Sequence, residues 1–201
     1  MNIFEKPRME DTGTKLMLRF QQGDESAFRE IVEQHKLSVL NLCYRFVGNK
    51  NDAEDIAQDV FIRILNAAPR YRPDASLSTW LYRITVNVCL NFQRRKKILN
   101  FFSLNHQFES GQTTGDRLPD LISEEQPDII LEKKELQMLV QQAIQSLPEN
   151  QQTVVILHRY EGLSYQEIAA VLNTTVSAIE SRLHRAKLNL QRKLKSLNRM
   201  E

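Results

Sequence analysis

Three groups of side chains in this chain have the types and spacing to do chemistry. Asp52, Asp55 and Asp59, with Gln58 beside them, recur at intervals of three and four, so a helix would place them on one face. Carboxylates so arranged can hold a divalent metal, dock a basic partner or simply face water. Taken alone, the solvated face ranks first, the dock second and a nuclease-type metal site third, because nothing nearby supplies a nucleophile or a general acid. Arg83, Asn87, Asn91 and Arg94 follow at intervals of four, four and three, a polar ribbon along one side of a helix. Asn amides and Arg guanidinium groups can read base edges and grip phosphates. A solvated ribbon is the plainer alternative, but a surface helix usually mixes both signs of charge and this stretch holds no acid. Trp80 and Tyr82 could stack on an unpaired base, although Trp80 stands at helical spacing with Ile84 and suits a core. The third group is Ser177, Ser181, His184 and Arg185, opposite an apolar stripe of Val176, Ile179, Leu183, Ala186 and Leu190.

This last group needs a particular scaffold, and the sequence supplies it. Ser164 and Glu167 have capping-box spacing and start a short helix in which Ile168, Ala169 and Leu172 share a face. Asn173 stands where the chain must turn, since Asn tolerates the left-handed backbone, and Thr174 or Thr175 can cap the next helix. The segment Leu163–Lys187 therefore reads as a helix-turn-helix, whose usual use is to lay its second helix in the DNA major groove. An ordinary amphipathic hairpin is the competing reading; the short turn, the capped starts and the basic outer face outweigh it.

The acidic group and the ribbon need a helical domain, expected over residues 12–97. A first helix covers roughly Thr14–Gln22. A second runs from Ser26 to Val47, with Phe28, Ile31, Val32, Leu37, Leu40, Cys43, Tyr44 and Val47 inward and Gly48 as its stop. Asn51 can cap a third, with Glu54 at capping-box spacing, that turns Ile56, Val60, Phe61, Ile64 and Leu65 inward. Pro69 and Pro73 bracket a loop, and a fourth helix starts near Ser76–Ser78 and runs into Arg94, Arg95, Lys96 and Lys97. Residues 98–127 lack a clear period and read as an acidic, flexible connector. Helix resumes near Asp128, breaks at Leu147-Pro148 and resumes again to Gly162, so a second domain spans 128–197. The fold class is all-α, two helical domains on one linker.

Composition narrows the partners. The net charge of +2 hides an uneven distribution. Ala75 to His106 holds five basic residues and no acid, Glu109 to Glu135 holds eight acids and three bases, and Ile179 to Glu201 holds seven bases and two acids. Two basic blocks around an acidic connector suggest two contacts with a polyanion. No apolar run reaches membrane-spanning length and the N-terminus carries no signal peptide, so a cytoplasmic protein without membrane insertion is expected. Cys43 and Cys89 sit in apolar helical patterns and read as buried free thiols; with no ligand spacing among His35, His106, His158 and His184, neither metal nor cofactor is expected.

Taken in order, the strings Gly23–Phe28, Asp52–Phe61, Ser78–Asn87, Ser146-Leu-Pro-Glu149, Glu161–Ala169 and Ser181–Lys187 resemble the extracytoplasmic-function (ECF) sigma factors, small promoter-recognition subunits of bacterial RNA polymerase in the sigma-70 family. The resemblance covers nearly the whole chain. It implies that the first domain is like sigma region two and the second like region four. Asp55, Gln58 and Asp59 would dock on the clamp coiled coil of the largest subunit of core RNA polymerase. Arg83, Asn87, Asn91, Arg94 and Arg95 would contact the minus-ten promoter element, with the Pro69–Ser76 loop and Asn87 holding a flipped base. Ser177, Ser181, Arg182, His184 and Arg185 would contact the minus-thirty-five element. The connector would thread toward the catalytic and RNA-exit region. Such a protein has no catalytic activity of its own and pairs with promoter DNA and a separate anti-sigma protein. Glu180 departs from the pattern, standing where several relatives carry a basic residue. The alternative is a stand-alone helix-turn-helix transcriptional regulator, which leaves the acid-free helix around Arg83 to Lys97 unexplained.

Overall fold

The computed structural model describes residues 12–103 and 138–197, and among them every regular element is helical. Helices α1 (Thr12–Gln21), α2 (Glu25–Val47), α3 (Lys50–Ala67) and α4 (Leu77–Ser103) form one lobe, with a single 3₁₀ turn at Ala68–Arg70. A second lobe holds α5 (138–145), α6 (Glu149–Arg159), α7 (Tyr165–Val171) and α8 (Val176–Leu197). The acidic connector beyond Ser103 and the resumption of helix near Asp128 lie outside the described residues.

Local chemistry sets the helix ends of the first lobe. The Asp24 side chain accepts from the Ser26 and Ala27 backbone N–H groups and starts α2. The Ser26 hydroxyl and then the Arg19 guanidinium hold its carboxyl down to about 2. Gly48, in the left-handed region at φ 70°, stops the helix and returns its N–H to the Tyr44 carbonyl. Asn49, not Asn51, caps α3: its backbone is extended and its side chain accepts from the Asp52 N–H, whereas Asn51 already lies inside the helix. The loop before α4 is pinned from α1, where Gln21 Nε2 donates to the carbonyls of Ala68 at 2.7 Å and Tyr71 at 3.0 Å. Trp80 packs edge-on against the Tyr71 ring, 5.1 Å between centroids.

Ile31, Val39, Leu42, Cys43 and Phe46 of α2 and Ala53, Ile56, Val60 and Ile64 of α3 are buried. Two expected core residues are not. Leu37 is 66% exposed, because it precedes Val39 by two positions and so points away from the stripe. Leu65 is 43% exposed, a hundred degrees around the helix from Ile64. Both helices carry more apolar residues than one face can hold. The fourth helix does not stop at the basic cluster; it continues through Ile98 to Ser103, six residues into the stretch expected to be connector. Cys43 and Cys89 are buried and free, and the Cys89 thiol is pushed up by contact with Cys43 and by burial.

In the second lobe Ser164 and Glu167 form the reciprocal capping box. Its hydrogen bonds from Ser164 lower the Glu167 carboxyl. Asn173 adopts φ 48° at the turn, and the Thr175 hydroxyl accepts from the Ala178 N–H, so Thr175 is the cap of α8. Pro148 stands immediately before α6 and its carbonyl takes the Gln151 and Gln152 N–H groups.

The lobes pack together, and their buried apolar side chains form one continuous cluster that runs from Met17 and Phe46 to Ile156, Ile168 and Ile179. The seam is built on the C-terminus of α2, whose last carbonyls lack partners within their own helix. Gln141 Nε2 donates to the Arg45 carbonyl at 3.0 Å, and Gln93 Nε2 to that of Phe46 at 2.8 Å. Gln152 Nε2 reaches Phe46 O from α6 at 3.4 Å. The Arg45 guanidinium lies over the Tyr160 ring at 4.3 Å.

Ser164→Ala removes one half of the capping box and should cost about 1 kcal/mol, read as a lower urea midpoint, with Ser164→Thr recovering most of it.

Candidate nucleic-acid interface

α4 must serve two surfaces. Leu77, Leu81, Thr85, Val88 and Cys89 are buried against the first lobe, so the helical period forces Arg83, Asn87, Asn91, Arg94 and Arg95 to the opposite side. Asn87, Asn91 and Arg95 stand exposed. The two ends of the ribbon are engaged by the second lobe. Arg83 Nη2 donates to the Ala170 carbonyl at the end of α7, 2.7 Å. Arg94 holds Glu149 at the start of α6 with two bonds, Nε to Oε2 at 3.0 Å and Nη2 to Oε1 at 2.5 Å. The same contact raises the Arg94 guanidinium.

A third link joins α4 to the loop between α6 and α7. The Tyr82 hydroxyl donates to Glu161 Oε2 at 3.0 Å. Burial raises the Glu161 carboxyl, partly offset by the Tyr82 bond and the nearby Arg45 charge. Burial, followed by the charge of Glu161, pushes the Tyr82 phenol up. Tyr82 is thus a seam residue rather than a free stacking ring.

On α3 the three aspartates do not act as a set. Asp52 turns to α4 and pairs with Lys96 Nζ at 2.7 Å. Asp59 pairs with Arg63 one turn on, at 3.0 Å. Asp55 and Gln58 are exposed, and Ile62 and Leu65 extend the same open face with apolar side chains. The sequence offered no sign of this apolar extension, because a helix with surplus apolar residues gives no rule for which ones stay out. Among the described residues no three His, Cys, Asp or Glu side chains gather as a metal site.

On α8, Ile179 and Ala186 are fully buried and Ser177, Ser181, His184 and Arg185 are exposed on the outer side, while Arg182 is half-buried. Arg185 Nε donates to the Ser181 carbonyl at 3.2 Å, and the residue stays exposed. Glu180 is exposed beside them. A capped, outward-facing basic helix after a tight turn is the geometry that enters a major groove.

Comparison with known proteins places this geometry. Residues 31–98 match the family model of sigma-70 region 2, and residues 137–190 that of sigma-70 region 4. The RNA polymerase sigma-H factor of Pseudomonas aeruginosa is 34% identical, over 92% of this chain and 95% of its own length. The ECF sigma factor SigW of Bacillus subtilis is 33% identical, over 91% and 97%. The ECF sigma-E factor of Escherichia coli is also 33% identical, over 94% and 97%. The chain belongs to the ECF sigma factors of the sigma-70 family. It directs promoter-specific transcription initiation by RNA polymerase. The fold agrees: CnrH, solved with the cytosolic domain of CnrY, superposes with a TM-score of 0.64 at 22% identity, covering 90% of this sigma factor and 96% of CnrH. RpoE of Bartonella quintana, solved with the anti-sigma factor NepR, gives 0.62 at 22%, covering 84% and 96%.

The Tyr82–Glu161 bond has a pH signature. A carboxyl raised by burial contributes stability that is complete below the ordinary carboxyl range and is lost as pH rises through the raised value. Tyr82→Phe removes the bond that favours the carboxylate, so Glu161 should titrate still higher, read by NMR of its side-chain carbon. The variant should also lose about 1–3 kcal/mol at neutral pH, where a half-buried carboxylate is left without its donor.

Proposed function

We propose that the sigma factor divides its work among three helices, α3 for polymerase, α4 for the minus-ten element and α8 for the minus-thirty-five element. The observation that carries this is the sidedness of α4. Its apolar side completes the first lobe and its acid-free polar side offers Arg83, Asn87, Asn91, Arg94 and Arg95 outward. Asn87, exposed at the middle, is placed to discriminate a base, while Arg94 and Arg95 take phosphates.

The dock on the polymerase clamp coiled coil is assigned to Asp55, Gln58 and Asp59; Asp52 is turned to Lys96 of α4, whereas Asp59 pairs only with Arg63 on its own helix. Ile62 and Leu65 give that face an apolar margin for the partner helix. On α8, Arg185 suits a guanine, because its planar fork can bind O6 and N7 together; Ser177, Ser181, Arg182 and His184 take a base edge or a phosphate. Region two is assigned to residues 12–97 with α4 continuing beyond it, the acidic connector to 98–127, and region four to 128–197. The sigma factor acts in the cytoplasm, contributes no chemistry of its own and leaves catalysis to polymerase. Two of its structural neighbours are held by protein partners, one of them named an anti-sigma factor, and we assign a separate anti-sigma protein to this chain as well.

Adding the chain to core RNA polymerase should yield promoter-specific transcription. Asp55→Lys with Asp59→Lys should abolish co-purification with core polymerase at unchanged helicity, whereas Asp52→Asn should leave it intact; equal loss in both would move the dock away from this face. Within assembled holoenzyme, Asn87→Ala should cost about 1–3 kcal/mol of preference at one minus-ten position. Arg185→Ala should weaken promoters that depend on the upstream element. A uniform loss over all promoter variants in the first case, or full-strength transcription in the second, would overturn that assignment.

A further inference from the structure

We propose that α1 is a positioning element for minus-ten recognition: through Gln21, Thr14 and the buried Tyr71 it presets the Pro69–Ser76 loop, so that the loop discriminates among bases instead of adapting to them. The proposal rests on the reading of that loop, with Asn87, as the holder of a flipped base. It gives a part in specificity to a helix outside the three assigned to polymerase and promoter. α1 grips the loop at both ends. Gln21 Nε2 donates to the carbonyls of Ala68 and Tyr71, at 2.7 and 3.0 Å, where the loop begins. Thr14, two turns earlier on the same face, meets the Tyr71 hydroxyl at 3.1 Å. That hydroxyl donates onward to the Ala75 carbonyl at 3.4 Å, where the loop ends. Gly13 lets α1 lie directly on Leu77, the first residue of α4; a Cβ at Gly13 would stand 2.8 Å from Leu77 Cδ2. Thr14 and Gln21 are about 10 Å apart along the axis, so α1 is a strut of fixed length between the two ends of the loop.

The loop hangs from one buried side chain. Tyr71 is buried with its ring edge-on to Trp80, while Pro69, Arg70, Arg72, Asp74 and Ser76 are exposed. The Ser76 hydroxyl accepts from the Thr79 N–H at 3.2 Å and so ties the exit of the loop to α4, the helix that carries Asn87. A loop without such ties samples many backbones and can close on any base, so a wrong base costs little. Fixing the backbone before the strand arrives removes that freedom, and a misfit base then meets a surface that cannot repack around it. Gln21 itself is exposed, so its two bonds to the loop are not needed to fill a core. They act on the loop.

The test is made in holoenzyme, on a promoter library randomised over the minus-ten element, with transcripts counted by sequencing. Asn87→Ala marks the loop-read position as the one where preference relaxes. At that position Gln21→Met, which keeps the length and loses the donor, should lower the ratio of best to worst base at least about fivefold, the equivalent of one net hydrogen bond. Tyr71→Phe keeps the ring on Trp80 and breaks the link from Thr14 to Ala75, and it should relax the same position. Preference at the other minus-ten positions, helicity and co-purification with core polymerase should not change in either variant. Gln21→Lys supplies a donor again and should restore the ratio; its charge favours every promoter alike and drops out. Gln22→Met, one residue on and also exposed, should change nothing. Full discrimination in both Gln21→Met and Tyr71→Phe overturns the proposal, and a loss in one alone assigns the setting of the loop to that contact. A loss spread evenly over all promoters makes the contacts merely structural and overturns it too. If Asn87→Ala relaxes no position, the base reading itself falls, and the role of α1 falls with it.

Discussion

The two-sidedness of α4 is the constraint from which the rest follows. One side of this helix is a wall of the first core, with Leu77, Leu81, Val88 and Cys89 buried. A helix with one buried side has its other side dictated by the 3.6-residue period, and residues four apart must emerge together. The ribbon of Arg83, Asn87, Asn91 and Arg94 is thus a consequence of how the core is packed, as much as of the residues themselves. Any change that rotated α4 about its axis would bury guanidinium groups and expose the core at once.

The second lobe depends on the same geometry. The C-terminus of α2 presents carbonyls that its own helix cannot satisfy, and glutamines from α4, α5 and α6 satisfy them. A buried seam with this many directed bonds fixes orientation more sharply than apolar contact alone, because each bond has a length and an angle to meet. Around its edge the contacts are ionic or partly exposed, as with Arg94 and Glu149. Exposed ion pairs contribute little stability in water. The arrangement therefore combines a specific inner register with a weak outer clasp, which suits two lobes that must contact a long nucleic acid at separated points.

Much of this was legible in the chain alone. The capping box at Ser164 and Glu167, the left-handed turn at Asn173 and the stop at Gly48 are local, short-range chemistry, and each appears in the structure as its residue type demands. The sidedness of α8 and of α4 was legible for the same reason, since a single period decides which residues share a face. Where apolar residues outnumbered the places on one face, as at Leu37 and Leu65, the period could not choose, and partner helices chose instead. The start of α3 at Asn49 rather than Asn51 was a competition between two adequate caps two residues apart, decided by where the chain leaves Gly48.

What the sequence by itself determined is the set of helices, the two-lobed all-α class, the charge of each exposed face and the family. These depend on neighbours within a turn or two, or on strings of residues in order. Only the tertiary structure decided which charges are free. Asp52, Asp55 and Asp59 look equivalent in the chain, yet Lys96, forty-four residues away, claims the first and leaves the second open. Arg83 and Asn87 share a ribbon, yet an α7 carbonyl eighty-seven residues from Arg83 takes one and spares the other. Pairings at such separation are set by the closing of the whole chain on itself, and no local period encodes them.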